Sequence, residues 1–343
     1  MTGRESKRTL AVSGLVLVTV LVAVGYALSG KLDLTEKKVT VIRIGSTAPG
    51  HLKFILSQQK RLWDQEFAKD GIKVEYYPFS GGGQEAMTAL ATGGLDLAYT
   101  ASDPALRTAA SGANVKLIGI SSFGRNGGSD IAVRKDSPIN SVKDLKGKKV
   151  AYLTGTVRHS TIAKALKHEG LSLKDIDGLN LAFEASGPAL IRGDIDAIVE
   201  SRNTFTPLLE TGSIRIILDG RTHPEWASPS AISVNSDFLK KHPALIKRLL
   251  KIDLEIARCA DAHPADTIRI FSQTTKKKEN AVQRDYPDNI FYQYPKITQK
   301  AIDAFKGEEA FLKDAGLANG SVDYGRWIDS SIIDQVYVES PGN

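Results

Sequence analysis

Four short segments of this chain join the end of an apolar run to the start of an amphipathic one, and each is built from small hydrogen-bonding residues. They are Ser46-Thr47, Ser80-Gly81-Gly82-Gly83, Thr100-Ala101-Ser102 and Thr154-Gly155-Thr156. Backbone N–H groups at a helix start carry partial positive charge, and Ser or Thr hydroxyls add donors, so such loops suit an oxyanion. The same residues are also the ordinary caps and turn formers, so one such loop alone is simply a cap. Arg158, His159 and Ser160 follow the fourth loop in the first turn of the next helix. There Arg158 is placed to grip a sulfonate, phosphonate or carboxylate with two parallel bonds, or else to lie in solvent. His159 is expected to be neutral, because a helix N-terminus disfavours its cation. Glu200-Ser201-Arg202-Asn203 ends another apolar run. Glu200 there either receives an ammonium group, which makes the ligand zwitterionic, or pairs with Arg202.

Signatures of covalent or metal chemistry are missing from the sequence. It has no Gly-x-Ser-x-Gly elbow, no His-Glu-x-x-His, no Gly-x-Gly-x-x-Gly, and no Lys-Ser/Thr after Gly81-Gly82-Gly83 to complete a phosphate-binding loop. The six His residues show no metal-ligand spacing, and the single cysteine, Cys259, excludes an internal disulfide and a Cys-rich metal centre. The residues therefore point to binding without a cofactor, not to an enzyme.

The elements that position these loops are set by a repeat. Ala89-Leu90-Ala91-Thr92-Gly93-Gly94-Leu95-Asp96 and Ala189-Leu190-Ile191-Arg192-Gly193-Asp194-Ile195-Asp196 are each a helix end, a Gly stop and an Asp that opens a short apolar strand. Upstream of each copy a strand, a Ser-Gly turn (Ser80-Gly81, Ser186-Gly187) and a helix are expected. Strands and helices alternate from Val39 to Leu218, which predicts an α/β chain with mainly parallel sheets in two similar lobes and a ligand cleft between them. The expected divisions are 1–30 for an N-terminal segment, 39–123 for the first part of lobe 1, 124–229 for lobe 2, and 230–343 for a return to lobe 1. From Ser236 onward the pattern is helical to the C-terminus.

At 343 residues, 42% hydrophobic and 24% charged, the chain has the composition of a globular protein with room for two domains. Arg4, Lys7 and Arg8 precede an uncharged apolar run from Leu10 to Leu28. That is the pattern of a signal peptide or a membrane anchor, and both place the rest of the chain outside the cytoplasm. The net charge is +6, of which the first thirty residues supply +2. The basic residues of the remainder are dispersed and without an aromatic stripe, which argues against nucleic acid as a partner.

The stretch from Ala89 to Pro104, the segments Asp136-Ser137-Pro138-Ile139 and Asp144-Leu145-Lys146-Gly147-Lys148-Lys149-Val150, and Gly155-Thr156 with His159 together carry a family resemblance. Over about Val41 to Pro243 the chain resembles the type 2 periplasmic solute-binding proteins of the nitrate, taurine and aliphatic-sulfonate ABC importers. Ala101 stands where such relatives commonly have Gly, and Glu200-Ser201-Arg202-Asn203 where a Trp-Asp-Pro or Glu-Pro-Trp type segment is frequent. The resemblance implies a two-lobed monomer that captures a small anionic or zwitterionic solute in a hinged cleft and delivers it to a membrane permease in the periplasm. It leaves the solute open. Two other classes share the fold: a membrane-tethered ligand sensor, and an enzyme similar to the thiamine-pyrimidine precursor synthase, whose Cys-rich iron segment this chain lacks.

Overall fold

The computed structural model describes residues 38–47, 52–79, 83–124 and 128–341. The N-terminal segment 1–30 and the loop residues Ser80, Gly81 and Gly82 lie outside the described residues. Two five-stranded sheets organise the chain. The first contains β1 (Val41–Ser46), β2 (Lys73–Pro78), β3 (Leu97–Thr100), β4 (Val115–Ser122) and β10 (Ser230–Asn235); the second contains β5 (Asp130–Arg134), β6 (Lys149–Tyr152), β7 (Asp177–Asn180), β8 (Ala197–Glu200) and β9 (Ile214–Leu218). Their strand orders, β2-β1-β3-β10-β4 and β7-β6-β8-β5-β9, are the same arrangement twice.

Each sheet departs from all-parallel at one strand. β10 runs antiparallel to β3 and β4, and β5 antiparallel to β8 and β9. These are the two strands that the chain enters after crossing from the other sheet, through 123–129 and then 219–229. A strand reached that way needs no helical crossover, so it is free to lie antiparallel.

The repeat is explicit in the hydrogen bonds. The helices α3 (Gly83–Ala91) and α6 (Phe183–Arg192) both stop at a glycine in the left-handed region, Gly93 at φ 79° and Gly193 at φ 84°. Two residues past each stop begins the turn to Asp96 or Asp196. Asp96 accepts the Arg43 N–H of β1 at 2.7 Å, and Asp196 accepts the Lys149 N–H of β6 at 2.8 Å. The expected upstream similarity does not hold. Phe183 to Gly187 lies inside α6, not in a strand and Ser-Gly turn, and Pro188 is accommodated within that helix.

The other helices of the alternating region are α1 (Leu52–Lys60) and α2 (Leu62–Ala68), α4 (Ser102–Ala110), α5 (Val157–His168) and α7 (Arg202–Glu210). The helical run between β1 and β2 is broken at Arg61, which takes a left-handed φ of 50°. Asp103 is inside the first turn of α4 and buried. After β10 come α8 (Ser236–Lys241), α9 (Pro243–Ala262), α10 (Pro264–Thr275), α11 (Glu279–Asp285), α12 (Gln299–Asp314), α13 (Tyr324–Trp327) and α14 (Ser331–Glu339). The expected helical continuity fails over 315–323 and, at greater length, over 286–298, which run without a helix along the outer edge of β4. The Ile120 N–H donates to the Pro295 carbonyl at 3.0 Å and the Phe123 N–H to the Tyr292 carbonyl at 3.1 Å, so the edge strand is covered.

Apolar faces pack as the strand period requires. In the second sheet Ile131, Val133, Val150 and Val199 meet Ile162 and Leu166 of α5 on one face, while Ala132, Ala151 and Ile198 meet Leu190 and Phe205 on the other. In the first sheet Ala98, Leu117, Ile120 and Ala231 pack with Phe305 of α12 and Trp327. Its opposite face holds an aromatic cluster of Phe54, Trp63 and Tyr99 around a fully buried ion pair, Lys53 to Asp253 at 3.6 Å.

Candidate functional site

Between the two sheets lies a cleft of about 630 Å³. The starts of six helices reach it: Leu52 of α1, Gly83 of α3, Ala101 before α4, Thr156 to Arg158 at α5, Ala182 to Glu184 at α6, and Ser201 and Thr204 at α7. This convergence follows from the topology, since loops at the carboxyl ends of parallel strands face the crevice. Two of the starts have no side chain to cap them. Ala101 and Ala182 occupy the N-cap positions of α4 and α6, and neither carries an acceptor for the first-turn N–H groups.

Seven of the residues singled out from the sequence line the cleft: Thr47, Gly83, Ala101, Thr156, Arg158, Glu200 and Ser201. The Thr156 hydroxyl is engaged locally, donating to the Leu153 carbonyl at 2.7 Å and accepting the Arg158 N–H at 3.3 Å, so it caps α5. Glu200 is 3% exposed and pairs with Arg158, not with Arg202: Arg158 Nε lies 2.7 Å from Glu200 Oε2. Arg202 points away from this cleft, to Asp130 and to Asp219, the latter at 2.9 Å, and lines a neighbouring groove instead. Asp219 is held down at about 2 by the Arg221 and Arg202 guanidiniums and the Arg221 N–H, which outweigh its partial burial.

The remaining candidates are structural neighbours of the cleft. Ser46, Thr100 and Ser102 are buried at the ends of β1 and β3 and the start of α4, and Thr154 is exposed with its N–H on Asn180. His159 and Ser160 face inward. The His159 ring stacks on Tyr152 at 5.0 Å and meets Phe311 of α12 edge-on at 5.1 Å, and its Nδ1 accepts the Gly155 N–H at 3.4 Å. Burial lowers its pKa, so the expected neutral imidazole has a different principal cause from the helix terminus.

Sequence reasoning missed the wall formed by the crossings and the C-terminal region. Ser122, Phe123, Gly124 and Ser129, then Ser228 to Ser230, and Phe291, Tyr292 and Gln293 all line the cleft. Tyr292 has a left-handed φ of 56° and lays its ring on Gly124, where a Cβ would sit 2.1 Å from the ring. The Pro-Asp-Asn and Tyr-Pro pairs in 286–295 are the signal that interrupts the helical pattern there. Among the described residues the charged side chains lining the cleft are Arg158, Glu184 and Glu200, and the helix starts add partial positive charge to that surface. Among the described residues there is no group of three His, Cys, Asp or Glu side chains that could hold a metal ion.

Two mirrored α/β lobes with helix starts converging on a cleft define the periplasmic-binding-protein class of fold. An Escherichia coli periplasmic aliphatic sulphonate binding protein has a similar structure, with a TM-score of 0.75 over 85% of this chain and 92% of that one at 22% identity. The family model described as NMT1/THI5 like matches residues 49–267, and the chain belongs to that family. It is 30% identical over 244 residues to a Bacillus subtilis (strain 168) protein named for aliphatic-sulfonate binding, a match covering 68% of this chain and 70% of the other. An Escherichia coli K12 protein named likewise is 28% identical over 200 residues, covering 57% of this chain and 61% of that relative's length.

Proposed function

We propose that the chain is the solute-binding protein of an ABC importer and holds a small acid of the sulfonate type, free or zwitterionic, in the cleft between its lobes. The observation that carries this reading is the convergence of helix starts from both sheets on one cleft, with α4 and α6 uncapped by side chains. Aligned N–H groups would hold the anionic head at no side-chain entropy cost, and Arg158 would close on it. In the free cleft Arg158 is neutralised by Glu200. A zwitterion suits this pair best, since its acid takes Arg158 while its ammonium takes Glu200, and the buried Glu200 is not left alone. Phe123, Phe183, Phe291 and Tyr292 offer an apolar wall to the rest of the solute. The fitting role is capture of the solute intact and its delivery to a permease by a monomer in the periplasm. The N-terminal segment would supply export, with cleavage or retention of Leu10–Leu28 as its two forms.

A thermal-shift screen of sulfonates, aminosulfonates, phosphonates and nitrate tests the class. Calorimetry with the hits tests the site. Arg158→Ala weakens binding by about 1.5–3 kcal/mol, the range for a hydrogen bond to a charged group, and Glu200→Gln weakens zwitterions far more than plain anions. Neutral outcomes for both variants with a solute that binds would move the site to the first lobe alone.

A further inference from the structure

Glu308, on α12, is completely buried, and its Oε2 accepts from three donors: Ser160 Oγ at 2.8 Å, Lys164 Nζ at 2.8 Å and Ser228 Oγ at 2.9 Å. Ser160 and Lys164 are one turn apart on α5, the helix whose first turn carries Val157 and Arg158 to the cleft. Ser228 is on the returning crossing. On its other side Glu308 meets a second buried carboxyl, Asp103 of α4, which is 1% exposed and hydrogen-bonded to it. Neither Asp103 Oδ2 nor Glu308 Oε1 has a donor among the other described side chains or N–H groups. Two touching carboxyl groups, each with an oxygen that no donor reaches, are compatible at close range when one proton lies between them.

We propose that Asp103 and Glu308 share a single proton, and that this pair, acting through Ser160 and Lys164, positions α5 and with it the Thr156 to Arg158 turn in the cleft. The second part deepens the solute-binding reading, but both parts can be observed with no solute present. The charges around the pair agree with it. Lys164 of α5 is the cation that faces it; His159, on the same helix, is kept neutral by burial, and Ser102 of α4 places its hydroxyl 3.4 Å from Asp103 Oδ1. One carboxylate is therefore balanced by one ammonium, and a second would be unbalanced. Burial first, and the Glu308 carboxylate next, push Asp103 well above the usual carboxylate range, the direction that a retained proton requires, and that proton leaves as the pH rises. Its loss puts two like charges at hydrogen-bond range in a dry site and displaces Glu308, the group that anchors α5.

The test uses the purified full chain. The infrared difference between wild type and Asp103→Asn at neutral pH shows the carbonyl stretch of a protonated carboxylic acid in the wild type, and Glu308→Gln removes the same band. In ¹⁵N-labelled wild type the amide signals of Thr156, Val157 and Arg158 follow an alkaline titration. Asp103→Asn abolishes that titration while leaving the signals near their neutral-pH positions, since Asn is a permanently neutral partner that still donates to Glu308; a merely structural contact would not remove a pH response. Absence of the acid band, or an unchanged titration in Asp103→Asn, overturns the proposal. Should either variant fail to fold, a ¹³C-carboxyl aspartate titration of the wild type reads the Asp103 proton directly, and an ordinary aspartate midpoint there is equally fatal to it.

Discussion

Arg158 and Glu200 were each recognisable from the sequence as cleft-facing, but their partnership was not. A sequence suggests pairs that are close in number, hence Glu200 with Arg202; the fold brings Arg158 there instead, because β8 lies beside β6 and the helix after β6 starts over it. The consequence is a stability cost that a solvated Arg158 would not have. Arg158→Ala leaves Glu200, 3% exposed, with its Ser201 N–H contact at 3.2 Å as the remaining hydrogen bond among the contacts described here, and chemical denaturation should show a loss of about 1–3 kcal/mol. Glu200→Gln should recover most of that loss in the double variant. His159 gives a second test. Burial lowers its pKa below the usual 6.5, so as pH falls through that value the unfolded chain takes up a proton that the folded chain refuses. The His159 contribution to stability is complete above pH 6.5 and declines below it. Denaturation of His159→Gln should accordingly show a flatter pH dependence between about pH 7 and pH 5 than wild type, and an identical slope would mean that the buried ring charges freely.

The repeated elements were legible because local rules produced them. A Gly able to take positive φ ends α3 and α6 at Gly93 and Gly193, and an Asp three residues later finds the same backbone N–H of its sheet in both copies. What escaped was set by tertiary contact. Gly187-Pro188 reads locally as a helix start, yet Phe183 packs its ring under Gly187 at 3.3 Å from a built Cβ and the helix begins five residues earlier. Likewise the non-helical wall at 286–298 exists because β4 has an open edge to cover. The crossings show the same dependence. Gly220 has ordinary backbone angles, but a Cβ there would lie 2.4 Å from the Ser129 carbonyl oxygen of the other crossing. Gly220→Ala should therefore force the two crossings apart and lower stability by about 1–3 kcal/mol, as overpacking does, while Gly307→Ala, with open space around it on α12, should be neutral or stabilising in the same melts.

At the scale of the whole molecule, the sheets are joined by two crossing segments, and the contacts between lobes fall into two kinds. One is direct: α5 against α12 through His159 with Phe311 and through Ser160 and Lys164 with Glu308, and α11 against α7 and the return crossing, where Arg284 lies 3.3 Å from Glu210 and Arg221 donates to the Arg284 carbonyl at 2.9 Å. The other is the cleft itself, about 630 Å³ and lined by helix starts from both sheets. An arrangement with direct contacts beside an open cleft and two crossing segments can narrow about the crossings at little cost in buried area, and a solute bridging the Thr156 to Arg158 turn and the start of α4 would supply the free energy to do so. The chain from Lys31 onward, mixed with a solute found in the thermal-shift screen, should then give a smaller radius of gyration in small-angle scattering than the same chain alone. Arg158→Ala should reduce that contraction at equal solute concentration and restore it when the solute is raised in proportion to the lost affinity. A radius that stays the same at saturation would mean that the solute enters a cleft already closed, and the crossings would then be struts and not hinges.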